Sequence, residues 1–258
     1  MICKVCNNES SYTFTTKVLK KYDVKYFHCT SCGFLQTEDP FWLKESYSSA
    51  IGSGDTGIIK RNRTFINRTS VLLRLLFDKE GRYLDYAGGH GIFVRAMRDI
   101  GFDYYWSDKY AENLYADGFE YNGSDEIDLV TAFECFEHFE NPAIDIKNIL
   151  GISTNVLFST RTYTGSPPDP QKWWYYSLDD GQHISFYSTQ TLRFLASKHN
   201  LNLCTDNKSF HLLSEKKIDN CVFNLLLKLS VMGLGSLVKI GMISRTESDH
   251  NLNKEKTV

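Results

Sequence analysis

The sequence predicts an α/β fold with a mainly parallel sheet, preceded by a small cysteine-rich module. Three observations carry this. Short apolar runs alternate with helix-period segments from residue 82 to residue 214, the pattern of strands joined by crossover helices. A glycine-rich turn, Ala87-Gly88-Gly89-His90-Gly91, separates the first such run from the first such helix. Four of the seven cysteines fall before residue 33, as two Cys-x2-Cys pairs.

The composition sets the frame for these observations. A chain of 258 residues accommodates one catalytic-sized domain and an appendage. Its 42% hydrophobic and 23% charged residues are ordinary for a globular protein and exclude wholesale disorder. Lys and Arg total 29 against 31 Asp and Glu, a net charge of -2. That leaves no basic excess to drive nucleic-acid binding, so nucleic acid is not the expected partner. The start, Met1-Ile2-Cys3-Lys4-Val5-Cys6, has no apolar run after a basic segment, so no signal peptide is expected. A reducing, cytoplasmic setting follows, with cysteines as thiols or metal ligands rather than disulfides.

Four regions are expected: a module over 1–40, a helical linker over 41–80, the α/β domain over 81–215, and an apolar helical segment with a polar tail over 216–258. In the module, Cys3 and Cys6 are separated from Cys29 and Cys32 by 22 residues. Four thiolates brought together in this way suit a structural zinc ion, which would stabilise a module too small for its own core. Val5, Tyr26, Phe27 and Phe34 are placed to cover the site. The alternative is that these cysteines are small core residues or redox pairs. Cys135, Cys204 and Cys221 lack ligand spacing and read as buried thiols. In the linker, Phe65, Ile66, Thr69, Leu72, Leu73 and Leu76 recur at helical spacing, with Arg63, Arg68 and Arg74 on the wetter side.

In the domain, residues 82–86 read as a strand and 92–100 as an amphipathic helix stopped by Gly101. Strands follow over 102–107, 127–133 and 156–160, with a helix from Pro142 to Leu150 between the last two. Residues 161–187 read as a long loop rich in Pro, Trp and Tyr. A helix over 189–198 and weak strands over 201–205 and 210–214 complete the alternation. The apolar run 221–243 is interrupted by Lys228 and Lys239 and contains Gly233, Gly235 and Gly241. It is expected to pack on the domain or on a second copy in a homo-oligomer rather than to span a membrane. The tail from Thr246 reads as loose.

The glycine turn carries the chemistry. Such a turn between strand and helix lets backbone approach a dinucleotide or S-adenosylmethionine. From Gly89 the sequence runs Gly-His-Gly-Ile-Phe-Val, so Val94 replaces the third glycine of a dinucleotide fingerprint. Asp85 before the turn repels a pyrophosphate but suits the cationic methionine end of S-adenosylmethionine. Asp108, 23 residues on at the end of the second strand, is placed to accept ribose hydroxyls.

The stretch from Tyr83 to Gly91 resembles motif I of class I S-adenosylmethionine-dependent methyltransferases, and Asp108 matches their ribose-binding acid. Residues Asp128 to Pro142, with Glu137-His138-Phe139-Glu140-Asn141-Pro142, resemble the fourth strand and the E-H-x-x-x-P stretch that follows it. Gly181 to Ser188 is similar to a segment of the zinc-containing branch, which includes sugar C-methyltransferases and methyltransferases of surface-glycan clusters. The resemblance implies a Rossmann-like methyltransferase sheet and a small acceptor, a sugar or nucleotide-sugar in surface-glycan synthesis. It implies cofactor contacts from Asp85, Tyr86, Ala87, Gly88, Gly89, Gly91, Asp108, Phe133 and Glu134, and zinc on Cys3, Cys6, Cys29 and Cys32. Ala87 stands where the family has Gly, which narrows the approach to the cofactor. The chain beyond about residue 215 does not match the sugar C-methyltransferases, which leaves acceptor and C- versus O-methylation open.

Methyl transfer is an in-line displacement, and the acceptor commonly needs a general base. His183, His138 and Glu137 are the candidate catalytic side chains within the matching segments. The alternatives are a loop-anchoring histidine for His183 and a solvated helix-start pair for Glu137 and His138. Trp173-Trp174-Tyr175-Tyr176 either stacks on a ligand or packs the loop onto the domain. Asp55, Thr56, Gly57 and Arg61 precede the sheet; on the family pattern Arg61 meets the cofactor carboxylate, and the alternative is a solvated face. Two rivals remain: a non-catalytic binding protein on a methyltransferase scaffold, and a nucleic-acid-modifying methyltransferase with a basic face around Lys17, Lys20, Lys21 and Lys25.

Overall fold

A computed structural model describes residues 1–47 and 56–256. Asp55, singled out in the sequence, lies outside the described residues. Ten strands are described: β1 (Ser11–Val18), β2 (Tyr22–His28), β3 (Leu35–Thr37), β4 (Arg82–Tyr86), β5 (Asp103–Ser107), β6 (Leu129–Ala132), β7 (Val156–Ser159), β8 (Ser185–Phe186), β9 (Asn202–Thr205) and β10 (Phe210–Ser214). The helices are α1 (Leu43–Ser46), α2 (Ile58–Leu76), α3 (Ile92–Ile100), α4 (Pro142–Ile152), α5 (Thr189–Lys198), α6 (Asn220–Leu229), α7 (Gly235–Leu237) and α8 (Thr246–Lys256). The chain divides into one unit of residues 1–52 with 133–217 and another of 53–132 with 218–258.

In the first unit, β1, β2, β3 and β8 form a four-stranded antiparallel sheet. Its β8 comes from the stretch read as loop in the sequence. Two residues are too short to show a strand period, and they are recruited by pairing with Leu35 and Gln36. Tyr26, Trp42, Tyr175, Tyr176, Ile184 and Phe186 form a core beneath this sheet. Thus Tyr175 and Tyr176 of the aromatic run pack inward, while Trp174 stays 71% exposed. In the same unit β7, β10 and β9 pair antiparallel. Helix α5 has the expected bounds because Ser188 caps it, exchanging hydrogen bonds with Thr191 in a capping box.

In the second unit β4 pairs in parallel with β5 on one side and β6 on the other. Helix α3 spans the expected residues between Gly91 (φ 85°) and Gly101 (φ 122°), backbone conformations that favour glycine. Helix α2 packs against α3 and α6. Its buried residues run from Thr69 to Leu73, and Arg63 is exposed, whereas Arg68 and Arg74 are half-buried.

Two expectations are corrected here. The tail from Thr246 is not loose: it forms α8, because Asp249 is buried and bonded to Arg98 and Arg95 of α3. Cys221 is not a buried thiol; it is exposed in the first turn of α6. In the apolar run, Phe223 and Leu227 are buried, whereas Leu225, Val231, Met232, Leu237 and Ile240 are exposed. The stretch Asn220–Leu237 is long and apolar enough to cross a membrane by length and composition, and 28% of it is buried.

Candidate active site

The glycine turn follows β4 and opens α3, and hydrogen bonds fix its shape. The Gly88 N–H donates to the Ser107 carbonyl (3.2 Å) and the Gly91 N–H to the Gly88 carbonyl (3.0 Å). The Trp106 indole N–H donates to the Gly89 carbonyl (2.8 Å). Asp108 accepts from the N–H groups of Gly89 (2.9 Å), Tyr110 (2.7 Å) and Ala111 (2.9 Å). It therefore braces the turn as well as standing where a ribose is expected, and a carboxylate has lone pairs beyond those three bonds.

The glycines differ in why they are needed. A Cβ on Gly88 would approach Asp85 Oδ2 and the Trp106 ring to 2.9 Å. A Cβ on Gly91 would come within 2.7 Å of Asn113 Oδ1. Gly89 (φ 55°) has no described residue, its chain neighbours aside, within 4 Å of the position a Cβ would take. Ala87 occupies the left-handed region at φ 57°, where an L-residue pays a steric penalty. Its methyl thus accompanies the conformation that the family's glycine would adopt without strain.

Asp85 is 4% exposed, and its Oδ1 accepts from the Thr131 hydroxyl at 2.6 Å. Burial raises its carboxyl to about 7, with the Asp108 charge adding to the rise and the Thr131 bond opposing it. A buried carboxyl so poised favours a cationic ligand group. Tyr86, the last residue of β4, is half-buried. The uncrowded Gly89 position among the described residues and the acids Asp85 and Asp108 fit the nucleoside and amino ends of S-adenosylmethionine. Sequence reasoning missed Thr131 and Trp106; neither has a spacing signal, since each acts by lying beside β4.

In the first unit the remaining candidates gather around the segment that follows β6 in the chain. Phe133 stacks on Phe210, ring centroids 5.6 Å apart. Glu134 takes φ 52°, another strained left-handed position. Ser159 holds it there: the hydroxyl accepts from the Glu134 N–H (2.8 Å) and donates to Glu134 Oε1 (2.6 Å). A short helical turn, Phe136–His138, carries Glu137 and His138. The Ile184 N–H donates to the Glu137 carbonyl at 2.9 Å, which brings His183 alongside. The His138 and His183 rings lie edge to face, centroids 4.9 Å apart.

Both histidines donate from Nδ1 to a carbonyl, His183 to Tyr175 (2.7 Å) and His138 to Gln182 (3.1 Å). Burial lowers His183 to about 4, against a smaller rise from the Tyr175 carbonyl. Burial, then the His183 charge, lowers His138 to about 3. Both are therefore neutral at pH 7, and His183 is a weaker base than a solvated imidazole. Glu137 is fully buried; burial, reinforced by the Glu134 charge, raises it to about 8. The pair is thus no solvated helix start. The Trp42 indole donates to the Gly181 carbonyl (2.8 Å) and the Gln182 side chain to the Ser46 carbonyl (2.9 Å), pinning the approach to His183.

The four N-terminal cysteines meet in space. Cys3 and Cys32 sulfurs are 3.6 Å apart, Cys6 and Cys29 sulfurs 3.4 Å, and all four lie within 4.8 Å of one another. A tetrahedral ion with Zn–S bonds of about 2.3 Å sets its sulfurs about 3.8 Å apart, so the set fits zinc. Turns present the thiols: the Cys29 N–H donates to the Phe34 carbonyl (2.8 Å) and the Gly33 N–H to the Cys29 carbonyl (2.7 Å). Val5, Tyr26 and Phe34 are buried and Phe27 half-buried. The lysines that a nucleic-acid reading would use are largely matched by acids: Lys17 with Asp23, Lys20 with Asp179 and Lys21 with Glu45.

Among solved structures, this chain is similar to magnesium protoporphyrin IX methyltransferase from Synechocystis, at 11% identity and a TM-score of 0.43, covering 67% of this chain and 94% of that one. It is similar to a methyltransferase in calicheamicin biosynthesis at 13% identity and a TM-score of 0.44, over 67% and 61% of the two chains. A putative methyltransferase in complex with the Haloferax volcanii Trm112 activator gives 13% identity and a TM-score of 0.45, over 63% and 93%. No curated protein matches the chain in sequence. The family model of a methyltransferase domain matches residues 59–205, more than half of the 258 residues, and the chain belongs to that methyltransferase family.

Proposed function

We propose that the chain transfers a methyl group from S-adenosylmethionine to a small acceptor. The observation that carries this reading is the turn after β4, with Gly89 uncrowded among the described residues between buried Asp85 and loop-bracing Asp108. When bound, the cofactor supplies a sulfonium methyl, and the protein's part is to hold and align it. Asp85 would receive the methionine ammonium and Asp108 the ribose hydroxyls. Phe133 and Glu134 are assigned to the cofactor on the family pattern. Glu137, His138 and His183 are assigned to the acceptor.

Within that class, the acceptor we favour is a sugar or nucleotide-sugar of surface-glycan synthesis. The resemblance of residues 181–188 and of the paired N-terminal cysteines to the zinc-containing sugar branch supports it. Zinc on Cys3, Cys6, Cys29 and Cys32 would be structural, because four cysteines leave no open position for water.

The test is calorimetric titration of the purified chain with S-adenosylmethionine, beside an Asp108→Ala variant. Micromolar binding that weakens at least tenfold in a folded variant supports the reading. Absence of binding by the unmodified chain would overturn it in favour of a binding protein that has lost the cofactor.

A further inference from the structure

Glu137, His138 and His183 converge as three hydrogen-bond acceptors. A carbonyl oxygen can only accept, so the contacts from Nδ1 of His183 to Tyr175 and of His138 to Gln182 place the proton on Nδ1 in both rings. Nε2 is then the nitrogen that keeps its lone pair. The Tyr47 hydroxyl also lies 3.1 Å from His138 Nδ1 and helps to set that ring. An outer N–H bonded to a backbone carbonyl is the arrangement that orients metal-ligating histidines.

Glu137 completes the set. It is fully buried, and no hydrogen bond of good geometry reaches its carboxyl oxygens from the described residues, although the Tyr175 and Thr160 hydroxyls stand close enough to favour its ionised form. The hydroxyls of Thr160 and Tyr175 are bonded to each other at 3.1 Å. A buried carboxyl group so weakly partnered is costly, and native proteins rarely keep one without a reason. One carboxylate oxygen of Glu137 and one ring nitrogen each of His138 and His183 lie within 4.8 Å of one another. That is close to the spacing of ligands around one ion with bonds of about 2.1 Å.

We propose that Glu137, His138 and His183 form a second metal site, holding a divalent transition-metal ion through one carboxylate oxygen and two imidazole nitrogens. It differs in chemistry from the four-cysteine site. Two imidazoles and a carboxylate suit manganese, iron, cobalt or zinc better than magnesium or calcium, which prefer oxygen. Three protein ligands leave open positions, as catalytic metal sites do. Oxygen atoms of the acceptor are the ligands assigned to those positions, an assignment that rests on the methyltransferase reading. On it, the histidines act as ligands, and the acceptor hydroxyl loses its proton to solvent as its oxygen attacks the methyl carbon. The carbon–sulfur bond breaks with its electron pair going to sulfur.

The experiment loads the purified full chain with one equivalent of zinc, which the four thiolates take first, then titrates Mn2+ and reads free Mn2+ by electron paramagnetic resonance, without turnover. One Mn2+ bound per chain, weakened at least tenfold in folded Glu137→Gln and His183→Gln variants, supports the site. No Mn2+ binding, or equal affinity in the folded variants, overturns it. Should either variant fail to fold, the unmodified chain decides. Selective broadening by Mn2+ of two of its seven histidine ring signals supports the site, and no selective broadening overturns it. Because the readout is metal binding, a failure here leaves cofactor binding untouched. Mn2+ binding without cofactor binding would retain the metal site and sink the methyltransferase reading.

Discussion

Replacing Asp249 by alanine removes the anchor of α8. The Asp249 carboxylate accepts two bonds from Arg98, from Nε and Nη2, both at 2.8 Å, and each side chain of the pair is 3% exposed. Arg95 adds a contact at 2.9 Å. Breaking a buried pair by removing one partner costs about 3–5 kcal/mol, because the other charge stays buried. Arg98 would keep Asp103 at 2.8 Å, the Tyr104 carbonyl at 2.9 Å and the Phe119 ring 3.6 Å from its guanidinium carbon. These place the cost at the low end, about 3 kcal/mol. For a chain of this size that is a fall of about 6–12 °C in melting temperature. Asp249→Asn keeps the shape and one acceptor oxygen and should lose about half as much. Burial opposes ionisation of Asp249, but Arg98 and Arg95 outweigh it and hold its carboxyl below the ordinary range. The stabilisation is therefore complete above the unfolded-state value and is lost as acid titrates the folded group, so the wild type and Asp249→Ala converge at low pH. Urea denaturation at pH 7 and pH 3 measures both effects. A loss under about 1 kcal/mol at pH 7 would refute the anchoring argument.

Three further outcomes are expected. Ala87→Gly relieves a residue held at φ 57° and should stabilise by about 0.5–1 kcal/mol once glycine's greater freedom when unfolded is offset; a fall in melting temperature would contradict it. The Asp85 carboxyl, raised to about 7, holds its proton in the fold at pH values where the unfolded chain has released it. Stability should thus decline as pH rises from about 4 to about 7 and then level off. Cofactor affinity should weaken below pH 7, because the cationic ligand must displace that proton. Asp85→Asn should flatten the stability trend, and denaturation curves at pH 5 and pH 8 that shift in parallel in both proteins would exclude it. Metal analysis should find one zinc per folded chain, and chelation should lower the melting temperature by more than about 5 °C; fully folded, metal-free protein with unchanged melting would remove zinc from the account.

The sequence resolved those parts of the fold that local chemistry dictates. Helix α3 was readable because an apolar face ends at a glycine required at φ 122°. The strand β4, the turn after it and the two acids were readable because their spacing is itself the signal. The tail helix was not, since its anchor, Arg98, lies 151 residues away and no local period records such a bond. Strand β8 was hidden for the same reason: its two residues are a strand only beside Leu35 and Gln36. For the catalytic candidates the residue types were legible but the environment was not. Neutral His138 and His183 and a protonation-prone Glu137 follow from burial, which depends on neighbours such as Tyr175 and Gln182.

The pairing of β3 with β8 has a consequence for how the chain is made. The hairpin of β1 and β2 is synthesised well before the partner of β3, Ser185–Phe186, which comes last among that sheet's strands. Until then β3 has one side of its backbone unpaired, a template for pairing with other nascent chains. Folding of this sheet waits on a distant contact, so its slow step should track translation through residue 186.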